Sequence, residues 1–258
     1  MVEDLYLPVS DPVEIERVLV DFPAVVDRTS FVEFVQGFPR RYLVQTPKVE
    51  VVKHYLLAQA LSGRKIITSL AEEKGRWKLS VVTRDRSFLF SQISGTLSCF
   101  GMNIVAAEAF ANAHGIVLDT FYFDDRASRF QDTAERQVFQ NLLEDIVSGV
   151  SDLEPMLENL WPDIAFWQEE RLEVHFDNEV VRSSTLMGLR CRDRFGLLYL
   201  ISHFLSERGY SIEMAYIRTE DHEADDEFYL TIEGKKLETK HFDELREAFR
   251  RFRAPKFA

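Results

Sequence analysis

A short turn in the second half of the chain combines residue types that could bind a small charged molecule. Gly196 follows a strand-like stretch and precedes a helix-like one, and its missing Cβ permits both close approach of a ligand and unusual φ/ψ values. Free backbone N–H groups at the start of a helix attract a carboxylate, and Asp193 could accept hydrogen bonds from an ammonium group. Alternatively, Asp193 only caps the helix and Gly196 only serves the turn. The candidate residues are Asp193, Arg194, Phe195, Gly196, Leu197 and Leu198.

The same turn occurs twice, which indicates an internal duplication. Arg84-Asp85-Arg86 aligns with Arg192-Asp193-Arg194 at an offset of 108 residues, and both copies read strand, turn, amphipathic helix, glycine and second strand. Further along the chain, Leu118-Asp119-Thr120-Phe121-Tyr122 aligns with Asp225-Asp226-Glu227-Phe228-Tyr229. In a pseudo-symmetric pair of such repeats, each turn would face the second strand of the other repeat.

The first repeat carries a weaker version of the site, formed by Asp85, Arg86, Ser87 and Phe88. Phe88 occupies the position of Gly196. If the turn keeps a positive φ, the Cβ costs about 1–2 kcal/mol and the ring takes up ligand space, so we expect this site to be degenerate. Across the pair, Asn103 of the first repeat should reach the turn at Gly196. Ser211 is its shorter counterpart, facing the first turn.

No other pattern in the sequence predicts catalysis or metal binding. There is no G-x-S-x-G, no phosphate-binding glycine loop and no dinucleotide fingerprint. The acidic run 220–226 lacks the glycine and the regular spacing of a calcium loop, so we interpret it as a solvated hairpin tip. His54 stands alone on its predicted helix, which does not suffice for a metal site. We expect no catalytic residue, no metal and no cofactor.

The overall composition argues against several classes of partner. A net charge of −12 opposes the approach to a phosphate backbone, so we expect no nucleic acid partner. Cys99 and Cys191 form no C-x-x-C pattern and no disulfide framework, which is typical of a reducing compartment. No apolar run approaches the ~20 residues of a membrane span, and the N-terminus lacks a signal-peptide pattern. We expect a cytoplasmic protein without membrane contact.

The periodicity of apolar residues predicts the elements that hold these turns. Residues 1–75 read as helices and loops without strand alternation, and a strand-like period starts at Trp77. The first repeat reads βαββα, followed by a candidate fourth strand at 172–176, whereas the second repeat lacks an obvious fourth strand. We predict an α+β fold with a helical N-terminal segment, a first domain at 76–178 and a second domain at 179–258.

The repeats resemble a known regulatory family. A βαββαβ unit whose first strand ends in D-R-x-G-L-L, as in DRFGLL, and whose helix is followed by G-x-x-I is similar to the ACT domain. In its family, this ferredoxin-like module binds amino acids and other small effectors. Together with FPRRYL and His54 upstream, roughly residues 36–252 look like the C-terminal tandem ACT region of one enzyme family. That family comprises the bifunctional uridylyltransferase and uridylyl-removing enzymes that modify the PII nitrogen-signalling protein.

The catalytic signatures of that enzyme family do not occur in the sequence. Its nucleotidyltransferase core has a G-S and paired-Asp signature, and its phosphohydrolase domain has an adjacent His-Asp pair; neither is found here. The first turn also departs from the family, with Ser87-Phe88 in place of Pro-Gly. The resemblance therefore implies a protein that is not an enzyme.

What the resemblance implies instead is an allosteric regulator in nitrogen metabolism that binds an amino acid effector, with glutamine as the first candidate. Such a protein would act as a homo-oligomer or through a signalling-protein partner. Two alternatives remain open. One is a ligand-free interaction or dimerisation module, and the other is the regulatory component of a split PII uridylyltransferase.

Overall fold

The computed structural model describes residues 8–10, 15, 26–158 and 172–251. Its N-terminal part contains the helices α1 (Arg28–Val35), α2 (Arg40–Gln45) and α3 (Lys48–Ala60). Helix α1 begins after Asp27, whose side chain accepts a hydrogen bond from the Ser30 N–H at 2.9 Å. Helices α2 and α3 each follow a proline, which fixes the entry of the chain into the first turn. Of the predicted helical segment before residue 26, the structure describes only residues 8–10 and 15.

The first repeat forms a four-stranded antiparallel sheet with helices packed on one face. Lys74 and Gly75 connect the first two strands, and their φ values of 55° and 81° are typical of a two-residue hairpin turn. A 3₁₀ turn precedes the last helix. The elements are β1 (Ile66–Glu73), β2 (Arg76–Arg84), α4 (Leu89–Cys99), β3 (Asn103–Ala111), β4 (Ile116–Asp124) and α5 (Thr133–Ser148). The strand order is β1-β2-β4-β3.

The second repeat forms a second antiparallel sheet, after the short helix α6 (Glu154–Glu158). Its elements are β5 (Glu173–Asp177), β6 (Thr185–Arg192), α7 (Leu197–Glu207), β7 (Tyr210–Tyr216), β8 (Thr219–Glu220), β9 (Glu223–Ile232) and α8 (Thr239–Arg250). The strand order is β5-β6-β9-β7, and the two-residue strand β8 pairs with β9.

The predicted α+β fold with two ferredoxin-like units is confirmed, but the outer strand of each sheet comes from another part of the chain than predicted. Strand β5, expected to complete the first repeat, pairs with β6 of the second sheet. The second repeat therefore does not lack a fourth strand. The first sheet is completed by β1, which lies in the segment predicted to be helical.

The physical reason is that each outer strand forms a hairpin with the strand that follows it. Strand β1 lies at an edge, so none of its residues after Ile67 is fully buried, and its sequence shows little alternation. The domain limits between 75 and 76 and between 178 and 179 stay a prediction. Strands β1 and β5 hydrogen-bond across these limits.

The two repeats pack side by side through α4 and α7 and through the facing edges β3 and β7. No ladder between the described residues joins these two strands, so the sheets remain separate. Gly95 permits the close approach of the helices, because a Cβ at this position would lie 2.7 Å from Cδ2 of Tyr199. The predicted α4 stripe is buried in an apolar core that both repeats share; it consists of Leu89, Ile93, Leu97 and Phe100.

Helices α1 to α3 cover the opposite face of the first sheet. Phe31, Tyr42 and Tyr55 belong to one apolar cluster with Val82 and Leu118 of the strands. Because both faces are covered, seven consecutive residues of β2 are buried. Within the described ranges, no helix has the length and apolarity needed to cross a membrane.

Two crevices between the repeats

The two turns aligned by the duplication have the same backbone geometry. Phe88 and Gly196, the residues that precede α4 and α7, have left-handed φ values of 65° and 78°. Asp85 and Asp193 each donate their N–H to a carbonyl at the hairpin tip of their own repeat, at 3.0 Å and 2.7 Å. The left-handed conformation costs a residue with a Cβ about 1–2 kcal/mol, so the first turn is strained at Phe88.

The second crevice is the space between the turn at Gly196 and the start of β3. Asn103 and Ile104 of the first repeat line it opposite residues 193–198 of the second, so the crossed arrangement of Asn103 with Gly196 is present. Its volume is about 30 Å³, which is room for about two water molecules and too little for an amino acid. Phe195 is 42% exposed, whereas Leu197 and Leu198 are buried.

Asp193 is hydrogen-bonded within its own repeat. Burial raises the pKa of its carboxyl, while the Thr219 side chain and the Arg194 backbone N–H donate hydrogen bonds that lower it. The net shift of the pKa is upward, because desolvation outweighs these bonds. In this conformation the predicted acceptor for an ammonium group is already engaged.

The first crevice is the space between the turn at 85–90 and β7, and it is much larger. Its volume is about 290 Å³, near the lower end of small-molecule pockets. Ser211 and Glu213 line it from the second repeat, as the pseudo-symmetry predicted for Ser211. The Phe88 ring packs toward His203 of α7, with ring centroids 5.2 Å apart. The ring therefore lines the crevice and leaves it open, although we expected it to fill the space.

Each crevice contains a buried carboxyl group at the same position of the repeat. Asp119 on β4 and Asp226 on β9 are each 1% exposed. Asp226 Oδ1 accepts a hydrogen bond from the Arg218 N–H at 3.2 Å, whereas Asp119 Oδ1 has no hydrogen-bond partner. Burial raises the pKa of Asp119 far above its usual range, and the charge of Asp85 raises it further. Burial also raises the pKa of Asp226, to about 8, against the opposing bond from Arg218.

Within the described ranges, no cationic side chain forms an ion pair with the carboxyl groups of the first crevice. Arg86 is adjacent in sequence, but its guanidinium donates hydrogen bonds to the Val147 carbonyl and to the Gln92 side chain. Among the described residues, neither Asp85 nor Asp119 forms an ion pair. Glu213 adds a further carboxylate, which accepts a hydrogen bond from the Thr231 hydroxyl at 2.6 Å. The first crevice is therefore an acidic cavity that starts at a helix N-terminus.

The sequence reasoning missed both buried aspartates, and its interpretation of the run 220–226 as a solvated hairpin tip is wrong for Asp226, which lies within β9 and is 1% exposed. The signal that could have identified them is an acidic residue at an inward position of an apolar strand, Asp119 within IVLDTFYF. The duplication aligns Asp119 with Asp226, so the same inward position carries an acid in both repeats. The described residues contain no group of three or more His, Cys, Asp or Glu side chains that could hold a metal ion.

Comparison with known proteins supports a similarity to part of the uridylyltransferase/uridylyl-removing enzymes. No family model matches the chain. It is 30% identical over 163 residues to a protein of Gluconobacter oxydans, a match that covers 61% of this chain and 17% of that protein. A protein of Phenylobacterium zucineum is 28% identical (76% of this chain, 21% of that protein), and one of Nitrobacter winogradskyi is 26% identical (82% and 24%). All three are named bifunctional uridylyltransferase/uridylyl-removing enzyme.

The chain thus spans about a fifth of the length of the uridylyltransferases that it matches. It is similar to part of these enzymes, and the organisation as tandem ACT domains stays a prediction. Among solved structures, the aspartate kinase from Synechocystis overlaps 63% of this chain and 25% of its own, with a TM-score of 0.35 and 16% sequence identity.

Proposed function

We propose that this chain is a non-catalytic regulatory module of two ACT-like domains that binds an amino acid between its repeats, with glutamine as the first candidate. The observation that carries the proposal is the crossed arrangement of the crevices. Each crevice combines the N-terminus of a helix with a buried carboxyl group of the same repeat and with the strand β3 or β7 of the other repeat. A helix N-terminus suits the carboxylate of an amino acid, and acidic groups suit its ammonium.

Cavity volume favours the first crevice as the effector site. With about 290 Å³ it accommodates a molecule of roughly ten heavy atoms, whereas the second crevice, with about 30 Å³, does not. The residues predicted from the sequence around Gly196 form the alternative site, which has to open before an amino acid fits. A ligand of this size would bind with a Kd between about 10 μM and 1 mM, a range suited to a metabolite sensor.

A thermal-shift panel of the twenty amino acids at 10 mM tests this function. Stabilisation of about 1 kcal/mol or more is expected for the effector, which raises the Tm by about 2–4 °C. Sodium chloride at equal ionic strength is the control. If none of the twenty raises the Tm, the ligand-free interaction module is the better reading, and the outer edges of β1 and β5 are the surfaces on which it would pair.

The two crevices can be distinguished with a matched pair of variants. Ser211→Ala removes a hydroxyl that lines the first crevice, and Asn103→Ala removes an amide that lines the second. We expect the first substitution to weaken the response to the effector and the second to leave it unchanged. The reverse result would place the effector at the Gly196 turn.

The names of the relatives favour a second candidate, the regulatory component of a divided or longer PII uridylyltransferase. The observation behind it is that the matched region is only 17–24% of each of these enzymes. Incubation of this chain with labelled UTP and a PII protein tests its own activity. We expect no label on PII, and transfer by the chain alone would contradict the non-catalytic assignment.

A further inference from the structure

We propose that Asp119 determines the ligand specificity of the first crevice, by accepting a hydrogen bond from a protonated amine that lies between it and Asp85. The crevice would then take ligands that carry a cationic amine and reject analogues of the same shape without one. This inference rests on the proposed function and adds to it the group that recognises the amine.

The first argument is the unmet hydrogen-bonding capacity of Asp119. Its side chain is 1% exposed, it lines the crevice, and its Oδ1 has no partner. A buried polar atom without a partner is costly, so native proteins retain few of them outside binding sites. An ammonium group in the crevice would supply both a donor and a compensating charge.

The second argument comes from the other repeat, which serves as an internal comparison. Asp226 occupies the same position, but the Arg218 N–H satisfies its Oδ1 at 3.2 Å. Arg218 lies beyond the end of β7 at Tyr216, which leaves its N–H available. The corresponding residue of the first repeat, Phe110, is still inside β3 and pairs with Leu118 of β4. The repeat with the larger crevice is therefore the one whose aspartate lacks a protein donor.

The third argument is the charge around Asp119. The titratable groups that line the crevice with it are Asp85 at the end of β2, Arg86 in the turn, and Tyr210 and Glu213 of β7. Arg86 is bonded to α4 and α5 and not to these acids. A ligand cation between Asp85 and Asp119 would thus face two carboxyl groups to which Arg86 is not bonded, and on the side of the buried Asp119 it would be little screened by solvent.

Proton release provides a signature that a purely structural role of Asp119 would not produce. Burial and Asp85 raise the pKa of the free Asp119 carboxyl, and a bound ammonium would lower it. Binding at a pH below the free pKa therefore expels a proton, and the affinity rises with pH until that pKa is passed. Titration calorimetry in phosphate and in Tris buffer measures the released proton as a difference in heat.

The test uses the whole chain and two probes: L-glutamine, and glutaramate, which is glutamine without its α-amino group. We expect glutamine to bind and glutaramate to bind about tenfold more weakly or not at all. Asp119→Asn should lose about tenfold in affinity for glutamine, together with the proton release. Asp225→Asn, the same change at the neighbouring exposed position of the second repeat, should behave as wild type.

The outcomes separate this inference from the proposed function. If glutamine and the other amino acids all fail to bind wild type, the proposed function fails, and this inference with it. If an amino acid binds but Asp119→Asn retains its affinity and proton release, or Asp226→Asn alone abolishes binding, only the role of Asp119 is wrong. Should Asp119→Asn fold poorly, Asp85→Asn at the exposed end of β2 serves instead, and an unchanged affinity in that variant would also overturn the inference.

Discussion

At the scale of single residues, the two turns show that a left-handed backbone conformation is kept even where glycine, the residue that favours it, is replaced. Phe88 and Gly196 adopt nearly the same left-handed φ. For Gly196 the conformation is free of strain, whereas the Cβ of Phe88 makes it unfavourable. The packing around the turn holds it in place, and it includes the contact of the Phe88 ring with His203 of the second repeat.

Replacing Phe88 by glycine and by alanine should separate backbone strain from ring packing. Both variants lose the ring, but only glycine relieves the left-handed strain, so we expect Phe88→Gly to be more stable than Phe88→Ala by about 1 kcal/mol. Urea unfolding measures the difference. The same pair of substitutions at Ser87, which has no positive φ, is the control and should show no preference for glycine. A Phe88→Ala variant at least as stable as Phe88→Gly would contradict this account.

Asp226 predicts a pH-dependent stability. An unfolded aspartate has a pKa of about 3.9, and burial raises the folded pKa of Asp226 to about 8. Because the folded state binds this proton more tightly, wild type loses stability relative to Asp226→Asn as the pH rises from about 4 to about 8, by up to about 1.4 kcal/mol per pH unit. Urea midpoints at pH 5 and pH 8 test this. The exposed Asp225→Asn is the control, and an equal gap between Asp226→Asn and wild type at both pH values would show that the carboxyl stays charged.

At the scale of elements, a polar contact joins α3 to the first sheet. Glu50 on α3 and Lys78 on β2 form an ion pair at 2.8 Å, with side chains 15% and 9% exposed. Burial raises the pKa of Glu50, but hydrogen bonds from Lys53 and Lys78 outweigh it and hold the pKa at about 2. The nearby His54 is buried, which lowers its pKa to about 4, and its Nδ1 lies 3.1 Å from the Tyr42 hydroxyl. His54 is therefore part of the buried contact between α3 and α2.

Lys78→Met should loosen the attachment of α3 to the sheet. Glu50 would keep only Lys53 as a partner in a mostly buried position, so we expect a loss of about 2 kcal/mol in the free energy of unfolding. The double variant Glu50→Gln/Lys78→Met should recover most of this loss, because no buried charge remains. Lys53→Met is the control, since its side chain is 60% exposed, and it should cost less than about 1 kcal/mol. Equal losses for the two lysine variants would show that burial of the pair is unimportant.

At the scale of the whole molecule, the contact between α4 and α7 creates both crevices. Each crevice has one wall in each repeat, so it exists only while the repeats are packed together. Gly95 lies in this contact, and a Cβ there would come within 2.5 Å of Leu153 and 2.7 Å of Tyr199. The spacing of the repeats, and hence the volume of the crevices, depends on this small residue.

Enlarging Gly95 should destabilise the protein and weaken its response to the effector together. We expect Gly95→Val to cost about 1–3 kcal/mol through overpacking, and Gly95→Ala to cost less because alanine is smaller and favours the helix. Urea unfolding gives the stability, and the thermal shift with the effector gives the response. A Gly95→Val variant with the stability and response of wild type would show that the helices can separate without harm to the crevices.

The sequence by itself determined the features that depend on local pattern. The duplication, the α4 stripe and the two turns with Asp85 and Asp193 follow from residue order and periodicity. These features can be predicted from the sequence because the residues that specify a turn or a helix lie within a few positions of one another. The crossed pairing of Asn103 with Gly196 also followed, since two copies of one unit related by pseudo-symmetry present the same surfaces to each other.

Only the tertiary structure decided which strand completes each sheet and how much space each crevice contains. The open edge of β2 or of β6 can pair with a strand that precedes the repeat in sequence or with one that follows it. An edge strand with polar residues shows little alternation, so its sequence does not indicate which sheet it joins. The missing donor at Asp119 depends on the length of β3, which continues to Ala111, whereas β7 ends three aligned positions earlier, at Tyr216. Such differences arise from contacts between distant parts of the chain, which periodicity does not record.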